Sequence, residues 1–151
     1  MTDERTYTFK EYLEQHGRMT YYNKGVSMLP MLRQGRDLIT VVKKGSERCR
    51  KYDVILYDRP PNEHVLHRIT KVMDDGYRVL GDNCWNVETV REEQITGVLE
   101  SFVRDGRTIS VNDPVYRIYS VLRVFFYPAR KLRWRAVRKL RRILGIGKKT
   151  S

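Results

Sequence analysis

Apolar and polar residues alternate in short runs through the middle of the chain, a pattern that predicts β-strands separated by turns. The predicted strands are residues 37–42, 54–57, 64–72, 77–80 and 95–103. Asp-Gly dipeptides at 75–76 and 105–106 lie between such runs. We expect hairpin turns there because glycine adopts positive φ without steric cost. The sequence therefore predicts a mainly β fold, a small body of curved antiparallel strands.

Helical patterns flank this body on both sides. Thr8 and Glu11 form a capping-box pattern, which predicts a short helix that ends near Gly17. Beyond residue 114 apolar residues recur every three or four positions and Pro128 interrupts them, so we expect two helices with a break at the proline. We divide the chain into an N-terminal helical segment (1–18), a catalytic domain (19–112) and a basic amphipathic helical extension (113–151).

The positive charge is concentrated in this extension. Residues 1–114 carry 18 basic and 18 acidic side chains, whereas residues 115–151 carry 12 basic side chains and no acid. The net charge of +12 therefore belongs to the last 37 residues. A neutral body with a basic tail indicates that any anionic partner binds the tail.

Cysteine content and hydropathy suggest a compartment. Cys49 and Cys84 match neither a disulfide framework nor a zinc-site spacing, so we expect a reducing environment and no metal or cofactor. No stretch approaches the roughly 20 apolar residues of a membrane-spanning helix. The first 18 residues lack the apolar region of a secretory signal. We therefore expect a cytoplasmic protein, with peripheral attachment to the cytoplasmic membrane face as an option.

One histidine has the pattern of a general base. A nucleophilic serine needs a base such as histidine within hydrogen-bond reach. His64 and His67 lie on one predicted strand, and three-residue spacing turns them to opposite faces. His67 shares the apolar face with Val65 and Ile69, so it is the more protected of the two. An imidazole partly out of water and beside a carboxylate is a suitable base near neutral pH.

Taken singly, the candidate catalytic residues fit structural roles better. Ser27 is typical of a turn serine before Met28 and Pro30, and Asp82 is typical of a turn aspartate. His67 alone is typical of a half-buried strand residue. Their order along the chain is what favours catalysis.

That order resembles the motifs of signal peptidase I between about Met19 and Phe102. The matching segments are Gly-Val-Ser-Met-Leu-Pro-Met-Leu at 25–32, Tyr-Asp-Val-Ile-Leu-Tyr at 52–57, Val-Leu-His-Arg-Ile at 65–69, Leu-Gly-Asp-Asn at 80–83 and Ile-Thr-Gly-Val at 95–98. The pair His67-Arg68 is similar to the archaeal and endoplasmic-reticulum branch, which has a histidine where bacterial enzymes have lysine. Several motifs in the correct order are far more specific than one.

The resemblance implies the curved β fold of the signal peptidase and SOS-repressor peptidase superfamily, and a serine endopeptidase acting on a peptide or leader segment. It implies that Ser27 attacks the scissile carbonyl, that His67 takes the serine proton and that Asp82 orients or stabilises the imidazolium. By the same resemblance Glu88, six residues past Asp82, is the weaker candidate for a second acid. The resemblance also implies that the Ser27 backbone amide is an oxyanion donor and that the substrate or oxyanion region comprises Gly25, Val26, Met28 and Pro30.

Three departures separate the chain from the family pattern. Gly25 stands where many bacterial members have a serine that donates to the oxyanion, and Cys84 and Trp85 follow the box where small or polar residues are usual. The transmembrane anchor that normally precedes the serine motif is absent from the sequence. Two alternatives stay open: self-cleavage, as in the related repressors, and a catalytically silent domain that acts as an adaptor.

The basic tail has the composition of a helix that lies on an anionic bilayer, where each basic residue contributes about 1 kcal/mol. Apolar residues Leu132, Val137, Leu140 and Ile143 alternate with its basic residues. The alternatives are packing of this apolar stripe against the body and, ranked below both, binding of nucleic acid phosphates. The proposed basic contacts are Arg130, Lys131, Arg133, Arg135, Arg138, Lys139, Arg141 and Arg142.

Overall fold

A computed structural model describes residues 8–145 of the chain. Within them the protein is mainly β, as predicted: eight antiparallel strands form one curled, half-barrel sheet, flanked by a short N-terminal helix and two C-terminal helices. The strands are β1 (Arg18–Tyr22), β2 (Leu38–Lys43), β3 (Val54–Arg59), β4 (Glu63–Met73), β5 (Gly76–Leu80), β6 (Glu88–Val90), β7 (Ile95–Arg104) and β8 (Arg107–Ser110). The helices are α1 (Phe9–His16), α2 (Pro114–Phe125) and α3 (Tyr127–Ile143), with one 3₁₀ turn at Glu92–Gln94.

The strand order brings distant motifs together. Neighbouring strands follow the order β1-β2-β7-β3-β4-β5-β6, and β8 pairs with β7. His67 lies opposite Ile55 on β3, and its neighbour Arg68 lies opposite Leu80 on β5. Since the Gly81-Asp82-Asn83 box directly follows Leu80, this register sets the box beside the histidine.

The central strands are buried on both faces. Along β3, Val54 and Leu56 point into one apolar cluster, while Ile55 and Tyr57 point into another. A strand buried on both sides reads as a continuous apolar run instead of an alternating one. The curled sheet therefore has two cores, and His67 on neighbouring β4 is largely protected from water by the strands around it.

The N-terminal helix forms as predicted. The Thr8 hydroxyl accepts a hydrogen bond from the Glu11 amide at 3.2 Å, and the Glu11 carboxylate accepts one from the Thr8 amide at 2.9 Å. The helix ends at Gly17, which has a φ of 72°. Leu13 is buried and anchors α1 on the sheet.

One predicted hairpin turn is confirmed and the other is displaced. Asp105 and Gly106 both have positive φ, at 49° and 76°, and connect β7 to β8. In the other hairpin Met73 pairs with Gly76, so the turn is 74–75 and the glycine lies inside β5. Gly76 is needed there because its backbone lies directly against the Val90 carbonyl, which leaves no room for a Cβ.

The break between the C-terminal helices differs by two residues from the prediction. It lies at Phe126, and Pro128 falls in the first turn of α3. Proline is tolerated there because the first amides of a helix have no intrahelical acceptor. Among the residues described, no helix combines the length and apolarity that crossing a membrane requires.

Candidate active site

The turn that carries Ser27, strand β4 with His67 and the Gly-Asp-Asn box (81–83) meet at Gly81. A Cβ at this position would lie 2.8 Å from His67 Nε2, 2.8 Å from the Ser27 carbonyl oxygen and 2.7 Å from Cys84 Sγ. No side chain fits at such distances. The backbone amide of Asn83 also donates to the Ser27 carbonyl at 2.7 Å, which holds the turn of Ser27 against the Gly-Asp-Asn box. The structure thus brings together residues that lie 40 positions apart in the sequence.

Ser27 and His67 line the same cavity, which has a volume of about 730 Å³. Ser27 is half-buried, and His67 is only 3% exposed. No hydrogen bond joins these two side chains, both of which are described; Cys84 Sγ lies 4.0 Å from His67 Nε2. Catalytic hydrogen bonds commonly tighten only when substrate binds, so the missing hydrogen bond between Ser27 and His67 does not count against a serine and base pair.

A chain of hydrogen bonds fixes the tautomer of His67. Its Nδ1 lies 3.1 Å from the Tyr57 hydroxyl, which donates to Glu88 Oε2 at 3.0 Å. Because the hydroxyl gives its one proton to the carboxylate, its oxygen accepts from the Nδ1–H of His67. Nε2 is then unprotonated on the Gly81 side, as a general base requires.

The protonation state of His67 suits this role. Burial lowers the pKa of His67 to about 4, and the negative charge of Glu88 opposes that shift. The imidazole is therefore neutral near pH 7, and its low pKa makes it a weaker base than an ordinary histidine. Glu88 Oε1 lies 3.6 Å from Nδ1, where its negative charge favours the protonated form of the imidazole.

Asp82 contacts arginine instead of the histidine. Its carboxylate is buried and accepts from Arg68 Nε at 2.9 Å, Arg68 Nη2 at 2.8 Å and the Tyr119 hydroxyl at 3.0 Å. The contact that the sequence led us to expect between Asp82 and His67 is replaced by this ion pair, since a guanidinium matches both carboxylate oxygens at once. Glu88, ranked second from the sequence, is the acid beside the imidazole.

Tyr57 and Arg59 are site residues that sequence reasoning missed. Arg59 Nε donates to Glu88 Oε2 at 3.0 Å and holds the carboxylate near the histidine. Tyr57 lies opposite Val65, diagonally across the β3–β4 pair from His67, where a long side chain reaches its neighbour. In the sequence, Tyr57 and Arg59 could be noticed as polar side chains at the end of an apolar strand. Only the strand register shows that Tyr57 reaches His67.

Of the four residues that the sequence assigned to the substrate or oxyanion region, one is buried and three are exposed. Met28 is buried in the core and anchors the turn, whereas Val26 is exposed. Pro30 is also exposed, and Gly25 has a φ of 88°. None of these four described residues lines the cavity. The Ser27 amide donates to no acceptor among residues 8–145, which leaves it available to an oxyanion.

The C-terminal helix forms part of the cavity wall. Trp134 of α3 stacks on Trp85 at 5.2 Å with an interplanar angle of 16°. The Arg138 guanidinium lies 5.1 Å from the Trp134 ring centre, and the Arg130 guanidinium lies 5.7 Å from that of Trp85. We call these four residues the Trp–Arg stack. Trp85, Trp134 and Arg138 line the same cavity as Ser27.

The apolar residues of the tail face away from the body. Leu132 is 69% exposed, Leu140 is 55% exposed and Ile143 is 69% exposed. The alternative in which this stripe packs against the body is therefore wrong. Helix α3 contacts the body through the aromatic and arginine side chains of the stack, and its apolar stripe lies on the opposite side.

Models of known protein families give no match to this sequence, and neither do curated proteins.

Proposed function

We propose that the protein is a serine endopeptidase that cleaves a peptide or leader segment, with Ser27 as nucleophile and His67 as general base. The main support is that both side chains line one cavity. In addition, the Ser27 carbonyl and His67 Nε2 both pack closely against Gly81. Further support is the Tyr57–Glu88 chain, which leaves His67 Nε2 unprotonated beside that cavity.

In the proposed reaction the Ser27 hydroxyl attacks the scissile carbonyl carbon while His67 Nε2 takes its proton. The Ser27 amide donates to the oxyanion that forms; removal of one such donor raises the barrier by roughly 3 kcal/mol in other hydrolases. His67 then gives the proton to the leaving amine, which departs and leaves an acyl-serine. A water molecule, deprotonated by His67, hydrolyses the ester and restores the serine.

Cys84 is the rival nucleophile, because its sulfur is near His67 Nε2. Burial is the main cause that raises the pKa of this thiol, so it stays protonated at neutral pH. A protonated thiol is a poor nucleophile. A serine does not need a lowered pKa, since the base removes its proton during attack.

The test is labelling with a fluorophosphonate probe combined with cleavage of an alanine-rich leader-peptide library. We expect the wild-type chain to be labelled and to cleave, and Ser27→Ala to abolish both without loss of the circular dichroism spectrum. Cys84→Ala is the matched control and should retain labelling and cleavage. His67→Ala should be nearly as damaging as Ser27→Ala, because members of a catalytic unit act non-additively.

Absence of Ser27-dependent labelling and of all cleavage would overturn the proposal in favour of a silent adaptor. Labelling by iodoacetamide that follows activity, together with an inactive Cys84→Ala, would transfer the nucleophile to the cysteine. Loss of a segment of this chain, with no cleavage of added peptides, would indicate self-processing.

We also propose that α2 and α3 hold the protein at an anionic membrane surface. The support is the side of α3 that faces away from the body, where apolar side chains are exposed among arginines and lysines with no acid beyond residue 115. Such a helix buries its apolar side chains among the headgroups while its cations contact anionic lipid.

Co-sedimentation with vesicles tests this proposal. We expect binding to phosphatidylglycerol-containing vesicles and not to pure phosphatidylcholine, with loss of binding in Leu132→Asp/Leu140→Asp. The matched control is Val72→Asp, an exposed apolar residue on β4. Equal binding to both lipids, or unchanged binding of the double variant, would refute the surface. A steep salt-dependent shift of DNA or RNA without vesicle binding would favour nucleic acid.

A further inference from the structure

The cavity that holds Ser27 and His67 is positively charged. Glu88 is the single acid among the described residues that line it, and Arg59 forms an ion pair with that acid. Lys24 and Arg138 line the same cavity. The ion pairs found within residues 8–145 include neither of these two cations. The lining therefore carries two positive charges that no acid on the cavity wall offsets.

The Trp–Arg stack determines how Arg138 is presented. Its guanidinium lies over the face of Trp134, which in turn lies flat on Trp85. A guanidinium stacked in this way has its N–H donors in the plane of the group, at its edge, where they are free to bind a carboxylate with two parallel hydrogen bonds. The stack thus restricts the side chain without using its donors.

Lys24 and Arg138 come from different parts of the chain. Lys24 follows β1 and lies three residues before Ser27, whereas Arg138 lies on α3. Two cations from separate elements therefore border one cavity that also holds the proposed nucleophile and base. A peptide lying in this cavity meets positive charge close to its scissile bond.

We propose that Lys24 and Arg138 select peptide substrates that carry an acidic side chain near the scissile bond. This inference rests on the proposed function, because it assumes that the peptide occupies the cavity of Ser27 and His67. Each cation binds a carboxylate at the edge of the cavity, Arg138 through two hydrogen bonds and Lys24 as a point charge.

Binding to the full chain carrying Ser27→Ala tests the inference without requiring turnover. The probes are short alanine-rich peptides with one glutamate at successive positions, and matched series with glutamine or lysine. Both tryptophans of the chain belong to the stack, so intrinsic tryptophan fluorescence reports directly on this part of the cavity. At low salt we expect one glutamate position to bind about threefold to tenfold more tightly than its glutamine counterpart.

Charge reversal supplies the sharper test. Arg138→Glu should abolish the glutamate preference and favour the matched lysine peptide. Arg142→Glu is the matched control: it makes the same charge change at an exposed position on α3 that does not line the cavity, so the glutamate preference should persist. Lys24→Gln should reduce the preference without reversing it.

Equal binding of the glutamate and glutamine peptides, or equal effects of the two reversals, would overturn the inference. Unfolding of Arg138→Glu would be detected by circular dichroism, and Arg138→Gln, which should lose the preference without reversing it, then replaces it. The failure of this inference and the failure of the peptidase proposal are distinguishable. Selective binding without any wild-type cleavage would refute catalysis and leave only the recognition of acidic peptides, whereas cleavage without acidic preference would refute the selection by Lys24 and Arg138.

Discussion

At the scale of single residues, the unusual feature is that a tyrosine stands between the candidate base and its acid. In a serine, histidine and acid unit the carboxylate usually contacts the imidazole directly. Here the Tyr57 hydroxyl bridges His67 Nδ1 and Glu88, and the nearer Glu88 oxygen remains 3.6 Å from the ring. The carboxylate acts partly through the hydroxyl and partly through its charge.

This arrangement predicts an acid limb of activity at low pH. His67 works as a base only when neutral, and burial lowers its pKa to about 4. kcat/KM should therefore rise as pH increases through about 4 and be level near neutrality, whereas an ordinary histidine would place that rise near 6.5. Hydrolysis of a leader peptide across this range, with circular dichroism at each pH, measures it.

Glu88→Gln should change both the height and the position of this profile. Loss of the negative charge removes the stabilisation of the imidazolium, so activity at pH 7 should fall by roughly 100-fold. The acid limb should move to still lower pH, because Glu88 raises the pKa of His67. His64→Ala is the control: it lines the same cavity, but its ring bonds Asp58 at 2.7 Å, tilts against Phe9 and forms no hydrogen bond with His67, so the profile should not move. An unchanged limb in Glu88→Gln would contradict the role of Glu88.

Part of this residue-level picture was readable from sequence. His67 is the more protected of the two histidines, as expected, but alternation is not the reason: Leu66 and Arg68, which share a face with His64, are also buried. The choice between Asp82 and Glu88 was not readable, because each acid pairs with an arginine and only the fold shows which pair lies beside the imidazole. Arg68 is adjacent to His67 in sequence but points to the opposite face, and it draws Asp82 with it.

At the scale of elements, Arg68 links four segments. It lies on β4, forms a buried ion pair with Asp82 of the box, donates to Ser120 of α2 at 2.7 Å and contacts Met31 Sδ at 3.0 Å behind the nucleophile turn. A buried guanidinium is costly unless its donors are satisfied, and here its partners come from the box, from α2 and from the turn that follows Ser27. The side chain thus ties α2 to the β-sheet body.

Removal of this guanidinium should destabilise the protein strongly. Arg68→Met leaves the Asp82 carboxylate buried without its cation, so the free energy of unfolding should fall by about 3–5 kcal/mol. Arg68→Met/Asp82→Asn should recover part of that loss. Arg18→Met breaks the exposed pair with Glu100 and should cost less than about 1 kcal/mol. Urea denaturation measures all three, and similar losses for Arg68→Met and Arg18→Met would contradict the linking role.

Elements with strong local signals were predictable, and those defined by their partners were not. The capping box and the apolar β3 run determine their own conformations. β1, β6 and β8 were missed because they are short and gain their strand geometry from pairing with β2, β5 and β7. The Trp–Arg stack was missed for the same reason: Trp85 and Trp134 are 49 positions apart, and neither has a periodic neighbour that indicates the other.

At the scale of the whole molecule, the neutral body and the cationic tail are separate in sequence but share one cavity in the fold. The basic extension is not an appendage, since Trp134 and Arg138 complete the wall of the Ser27 cavity. The same helix exposes Leu132, Leu140 and Ile143 on its other side. Two surfaces with different chemistry therefore share one rod of 17 residues.

The two-sided helix sets a distance. An α-helix with its side chains is about 10 Å across. If both proposals hold, a protein resting on lipid through the outer side of α3 would hold Ser27 roughly one helix width above the headgroups. Peptide bonds just outside the bilayer would lie within range of such an enzyme, and bonds far along an extended polypeptide would have to loop back. The thickness of a single helix would then limit how far from the bilayer a peptide bond can lie and still be cleaved.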